Sequence, residues 1–289
     1  MLHRNRLVLL ALLAPALVLL ATFTVYPVLR VALLALFETD YGLDGATFVG
    51  LENYDYLIGR RFFRQAVWNT VVFTLAATML EVAAGLLLAL LFNRAFPGRG
   101  VLLPAMIVPF VLSTMVVSAI WRSWFHFDFG FLNNLLRGVG LEGVPWLFSP
   151  DLALWSIVLV DVWQFTPLTF LILLAGLRSI PRDIVDAARL DGAGPLQVFL
   201  RITLPLLSAH LMLAALLRTI DSFKIFDKVF ALTGGGPGNA TETLSLYVYR
   251  LGFRFFDIGA ASAAAMVMLL IAGLLAAIYA ARMLRRAPL

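Results

Sequence analysis

Long apolar runs separated by short polar segments limit this chain to very few architectures. Six recur, roughly Leu7–Leu34, Val67–Phe92, Val101–Trp121, Leu152–Leu177, Leu206–Phe226 and Ile258–Ala281. Each matches the roughly 20 residues that carry a helix across a bilayer. Lipid offers no partner for backbone N–H and C=O groups, so runs of this length satisfy them internally as helices. The expected fold is therefore all-α, a polytopic membrane protein with about six transmembrane helices. Composition points the same way. The chain is 62% hydrophobic and 13% charged, whereas soluble domains sit near roughly 45–50% and 25%.

Three divisions follow. Residues 1–65 hold the first span and an external interfacial segment, 66–281 a five-span core, and 282–289 a basic tail. The first run is too long for the roughly 7–15-residue apolar region of a cleaved leader, and Pro15 and Pro27 are expected to bend it. Pro104 and Pro109 fall in the first turns of span three, and Trp121, Trp124, Phe125, Phe127, Phe129 and Phe131 read as an aromatic belt leading into an external loop, 122–150. The net charge of +5 comes almost wholly from Arg. In a membrane chain it reads as topology rather than nucleic-acid binding. The excess falls on the side that holds both ends, with Arg94, Arg99, Arg178, Arg182, Arg189 and Arg201. Arg60, Arg61, Arg64, Arg122 and Lys228 fall on the other. Both termini are thus expected in the cytoplasm.

Cysteine is absent, which excludes disulfides, thiolate metal sites and a Cys nucleophile. The glycine-rich turn Leu232–Thr241 lacks the Lys that a phosphate-cradling loop needs. His3, His126 and His210 are scattered. No catalytic constellation or metal site is expected, and no ATP site in this chain. Charges inside the spans read as function by default. Glu81 is expected to face a neighbouring helix. In span four, Asp161 to Pro167 is polar and aromatic at mid-depth. In span five, Arg218, Ser222 and Ile225 share a face, and Asp221 lies three residues from Arg218, in reach of an ion pair. An ion-coupled secondary transporter is one class such charges suit, although no internal repeat supports it.

The stretch Asp186–Pro205 is polar and punctuated between two apolar runs. Pro181 suits a first helical turn, Gly192 and Gly194 break the helix, and Pro195 starts another. The result is a helix–turn–helix elbow within loop 178–205. Ala187-Ala188, Gly192, Ile202, Leu204 and Pro205 resemble the signature of binding-protein-dependent ABC importer permeases: Glu-Ala-Ala, three residues, Gly, nine residues, Ile-x-Leu-Pro. Asp186 stands where that family has Glu. Leu232-Thr233 with Gly235-Gly236-Pro237 resembles the turn after span five in the maltose-type, carbohydrate branch, and Val49 to Tyr54 with Trp68-Asn69-Thr70 resembles that branch's entry to the core. The likeness covers the last two-thirds of the chain.

This resemblance implies the maltose-type ABC importer fold in a bacterial or archaeal cytoplasmic membrane. It implies a second permease subunit, two ATPase subunits that bind ATP, and an extracytoplasmic binding protein that delivers a sugar. Asp186, Ala187, Ala188, Asp191, Gly192 and Ala193 would dock the ATPase. Gln164, Phe165 and Leu168 of span four, with Arg218, Asp221, Ser222 and Ile225 of span five, would contact the sugar, with Trp163 or Phe165 stacking on its ring. A polyol or a glycerol-phosphate type solute is the alternative cargo.

Overall fold

The computed structural model describes residues 12–39 and 45–286. The basic start with His3, Arg4 and Arg6, the acidic residues Asp40 and Asp44, and the side chains of Arg285 and Arg286 lie outside the described residues. Two compact units are present. One comprises residues up to Phe63 with Tyr247–Leu270, the other Arg64–Leu246 with the residues from Ile271. The first half of the last span thus groups with the N-terminal residues.

In the first unit, helix α1 (Leu12–Leu34) is the span near the N-terminus. A π-turn at Ala21–Val25 precedes Pro27 in the first turn of the segment that follows. A short antiparallel pair, β1 (Phe37–Glu38) with β2 (Thr47–Phe48), and helix α2 (Glu52–Gly59) make the interfacial segment. Asn53 ties them together, since its amide donates to the Ala35 and Phe37 carbonyls, each at 3.0 Å. The first amides of the last helix, α12 (Ile258–Arg286), are also satisfied here. Ile258 and Gly259 donate to the Thr39 carbonyl at 3.1 and 3.2 Å. The Asp257 carboxylate accepts from Ala260 N at 2.9 Å, the usual role of an N-cap aspartate. Helix α12 runs to Arg286, so the expected tail from 282 begins as helix.

In the second unit, α3 (Arg61–Phe92), α7 (Ala153–Ser179) and α9 (Pro195–Phe223) are long enough and apolar enough to cross a bilayer. Their shared core gathers Ala89, Phe92, Phe170, Leu173, Leu177, Leu207 and Ala214. Small residues set the approach. A Cβ at Gly85 would strike the Thr169 hydroxyl and come within 2.9 Å of Phe170 N, and one at Gly176 would strike His210 and Leu207. The expected single third span is instead two helices, α4 (Arg99–Val111) and α5 (Thr114–Trp124), bent by 97°. Pro104 and Pro109 sit inside α4 without ending it. The break comes at Leu112 and Ser113, whose ψ angles of 143° and 137° are extended. Helix α6 (Phe131–Gly138) lies in the loop between α5 and α7. Helices α8 (Arg182–Leu190), α10 (Asp227–Leu232) and α11 (Leu244–Tyr249) complete the chain.

Candidate functional site

Two features of the second unit carry chemistry. The first is a charge cluster buried among four helices. Glu81 on α3, Asp161 on α7, Arg218 on α9 and Lys228 on α10 are each no more than 2% exposed. Arg218 meets Glu81 with two parallel bonds, Nε to Oε2 at 2.5 Å and Nη2 to Oε1 at 3.1 Å. Its Nη2 also donates to Asp161 Oδ2 at 3.0 Å and to Ser222 Oγ at 3.2 Å. The other Asp161 oxygen takes Lys228 Nζ. Two carboxylates thus face two cations, and the set closes as neutral. That closure makes the burial tolerable, because an unpaired ion in a low-dielectric interior costs several kcal/mol.

These partners correct the sequence reading. Arg218 does approach Asp221, but only at 3.8 Å, and Asp221 pairs more closely with Lys224 at 3.1 Å. The spacing along one helix shows the local neighbour and hides the better partners on other spans. Lys228, expected among external charges, is buried on Asp161. Glu81 does face neighbouring helices. The signal that could have found the cluster was present: intramembrane ions of opposite sign lie on separate spans, and such ions pair.

A cavity of about 370 Å³ opens beside the cluster. Phe165, Arg218, Asp221, Ser222 and Ile225 line it, together with Thr114, Asp161 and the segment Lys224–Lys228. Five of the seven residues expected at the sugar therefore share one cavity. Gln164 and Leu168 do not line it. Gln164 is 1% exposed, and its amide donates to the Leu112 carbonyl at 3.0 Å. It holds the carbonyl that the break in span three releases, a bracing role that sequence spacing could not show. Phe165, which lines the cavity, also carries two cations. Arg218 and Lys228 each sit 4.1 Å from its ring centre, a double cation–π contact. Trp163 packs edge-on against Trp121 at 5.6 Å.

The Trp68-Asn69-Thr70 and glycine-rich motifs, distant in sequence, meet in space. Asn69 donates to the carbonyls of Glu242 (2.9 Å) and Asn239 (3.3 Å), and Thr70 Oγ1 accepts from Leu244 N at 2.8 Å. The N-terminal part of α3 thereby fixes the turn after α10.

The second feature is the elbow. Helix α8 ends in a complete Schellman motif. Gly192 N donates to Arg189 O, and Ala193 N to Ala188 O, each at 3.0 Å. Gly192 has φ +83°, a left-handed conformation suited to glycine. Pro195 then opens α9, which continues through a π-turn at Phe199–Thr203 into span five. The second arm of the elbow and the helix carrying Arg218 are thus one element. Ala188, Asp191, Gly192 and Ala193, with Gln197, Arg201 and Ile202, line a shallow hollow of about 400 Å³. Asp186 and Ala187 are exposed on α8, where Asp186 pairs with Arg189 at 3.1 Å.

Comparison with known proteins places this architecture. The chain is 37% identical over 277 residues to the sulfoquinovosyl glycerol transport system permease protein SmoG of Agrobacterium fabrum, covering 95% of this chain and 90% of that one. It is 38% identical over 245 residues to the trehalose/maltose transport system permease protein MalF of Thermococcus litoralis, covering 85% and 82%. A probable ABC transporter permease of Sinorhizobium fredii, y4oQ, is 47% identical over 216 residues, covering 75% and 70%. Among solved structures, a bacterial ABC transporter that imports the acidic polysaccharide alginate superposes with a TM-score of 0.85. Its chain covers 98% of this chain and 96% of its own length at 21% identity, and so shares the fold. The family described as binding-protein-dependent transport system inner membrane component matches residues 81–287, and the chain belongs to it.

Proposed function

We propose that this chain is one membrane half of an ATP-driven importer that carries a neutral sugar through the cavity beside Arg218. Arg218, Asp161 and Lys228 are already paired within the cluster, and Asp221 lies against Lys224. Asp227 adds one exposed carboxylate, so the wall offers hydrogen-bonding groups with little uncompensated charge, none of it positive, which suits hydroxyls better than a phosphate. The trehalose/maltose and sulfoquinovosyl glycerol permeases among its relatives support a carbohydrate cargo.

The observation that carries the transport reading is continuity. The exposed elbow and the cavity-lining face of span five belong to one helix, so motion at the elbow is transmitted to the cavity. The elbow also exposes Leu190 (89%) and Leu196 (70%) on the loop side of the span. Apolar side chains presented there suit a protein partner, here an ATPase subunit that binds the ATP. A second permease subunit, a second ATPase and an extracytoplasmic binding protein complete the proposed complex. It would sit in a cytoplasmic membrane with both termini of this chain inside.

Purification of the tagged chain from its native membranes tests the assembly. An ATPase subunit and a second permease are expected to co-purify; recovery of the chain alone or as a homodimer would overturn the importer reading. The cavity has its own test. Asp221 is a half-exposed carboxylate on its wall. Asp221→Ala is expected to lower transport efficiency by about tenfold, the equivalent of one charge-assisted hydrogen bond of roughly 1.5 kcal/mol. Unchanged sugar uptake by the reconstituted complex would move the cargo elsewhere.

A further inference from the structure

The loop between α5 and α7, residues 125–152, is built inside out. Its most buried residue is polar: Asn133 on α6 is 0% exposed. The Asn133 amide donates to the carbonyls of Phe127 (3.1 Å) and Val144 (3.0 Å), and its oxygen accepts from Val144 N and Trp146 Nε1, both at 3.0 Å. Arg137 folds back in the same way, donating to the Asp128 and Phe127 carbonyls at 2.6 and 2.8 Å. Phe125 and Leu147 are buried as well, but the apolar side chains along one face of α6 point outward. Phe131 and Leu135, four residues apart on α6, are 53% and 54% exposed, and Val139, four residues further, is 75% exposed. Phe129 and Phe148 are exposed as well.

A loop in water keeps the opposite arrangement, with polar groups outward. Here the hydrogen-bonding capacity is spent internally and the greasy face is left open, which is the arrangement that an apolar medium selects. Two observations identify that medium as lipid. The chain runs directly on into a membrane span, where Leu152, just before α7, and Trp155 and Leu159 on it are exposed as well. Of the exposed charges, Asp128, Glu142 and Asp151 lie outside α6, at positions that can stay at headgroup level, and Arg137, on α6, has its guanidinium bonded to backbone carbonyls. The aromatic belt expected from the sequence is thereby kept in part, with Phe127, Phe129 and Phe131 exposed. Trp121 and Phe125 turn inward, where Phe125 packs on Trp146 at 5.6 Å, and the outward-facing residues come later in the chain.

We infer that α6 and its flanks lie in the membrane interface, with Phe131, Leu135 and Val139 inserted among the lipid chains, so that this segment anchors the outer arm of span three to the bilayer rather than standing free as a solvated loop. The absence of native cysteine makes the test clean. Leu135→Cys, Val139→Cys and Glu142→Cys are labelled singly with an environment-sensitive fluorophore, and the full complex is reconstituted into phosphatidylcholine–phosphatidylglycerol vesicles. Doxyl-labelled lipid is expected to quench the first two sites several-fold more than aqueous iodide does, and the order is expected to reverse at the third. Iodide quenching at Leu135→Cys and Val139→Cys would overturn the inference in favour of a solvated loop. Protection of both sites from either quencher would overturn it in favour of a protein-covered face. These exposed positions carry no internal contacts that folding requires, and the readout does not depend on sugar transport.

Discussion

Glu81→Met is expected to destabilise the protein by about 3–5 kcal/mol, the cost of stranding a buried ion. Arg218 would lose its bidentate partner and be left with Asp161, which already holds Lys228. Arg218 cannot escape by giving up its proton. Lys228→Met should be milder, because Asp161 keeps Arg218 as a partner. The double change Glu81→Met with Arg218→Met removes one acid and one base together and leaves the neutral pair Asp161–Lys228. Replacing a buried ion pair by apolar groups of similar volume is often close to neutral. The double variant is therefore expected to be more stable than Glu81→Met alone. Unfolding temperatures of the purified complex in detergent decide the matter. Losses that simply add would show that the two residues do not interact energetically, despite their 2.5 Å contact.

The spans were legible because length and apolarity alone determine them, and the elbow because proline and glycine mark each of its corners. Pro195 does open the second arm, and Gly192 does end the helix, in a left-handed conformation. The partners of Arg218 were not legible. Glu81 lies 137 residues away in sequence, and their meeting depends on how α3 and α9 are rotated about their own axes, which the spacing within one helix cannot reveal. Lys228 was hidden by its setting, since it follows a span in a polar stretch that reads as solvated. The break in span three was hidden for another reason. Its two prolines lie upstream of it, where α4 absorbs them, and the pair Leu112-Ser113 carries no punctuation of its own. The same break frees the carbonyl that the Gln164 amide takes, so the missed bend also hid a partner of that side chain.

The elbow gives the other large effect. Gly192→Val is expected to cut sugar uptake by the assembled complex by about tenfold or more, while the loaded binding protein still docks. A residue with a Cβ pays roughly 1–2 kcal/mol for left-handed backbone, and a β-branched one pays at the upper end; 1.4 kcal/mol is already a factor of ten in any equilibrium that needs the native turn. Space is not the obstacle within this chain, because a Cβ at Gly192 would meet nothing within 4 Å. That separates two causes. Asparagine adopts the left-handed conformation far more readily than valine. If backbone strain is the cause, Gly192→Asn should recover most of the transport and of the binding-protein-stimulated ATP hydrolysis. If both variants fail alike, the glycine is needed for the close approach of a partner surface to the hollow beside Ala188 and Ala193. If both transport normally, the turn has no part in coupling, and the motion of span five must be driven from somewhere other than its own elbow.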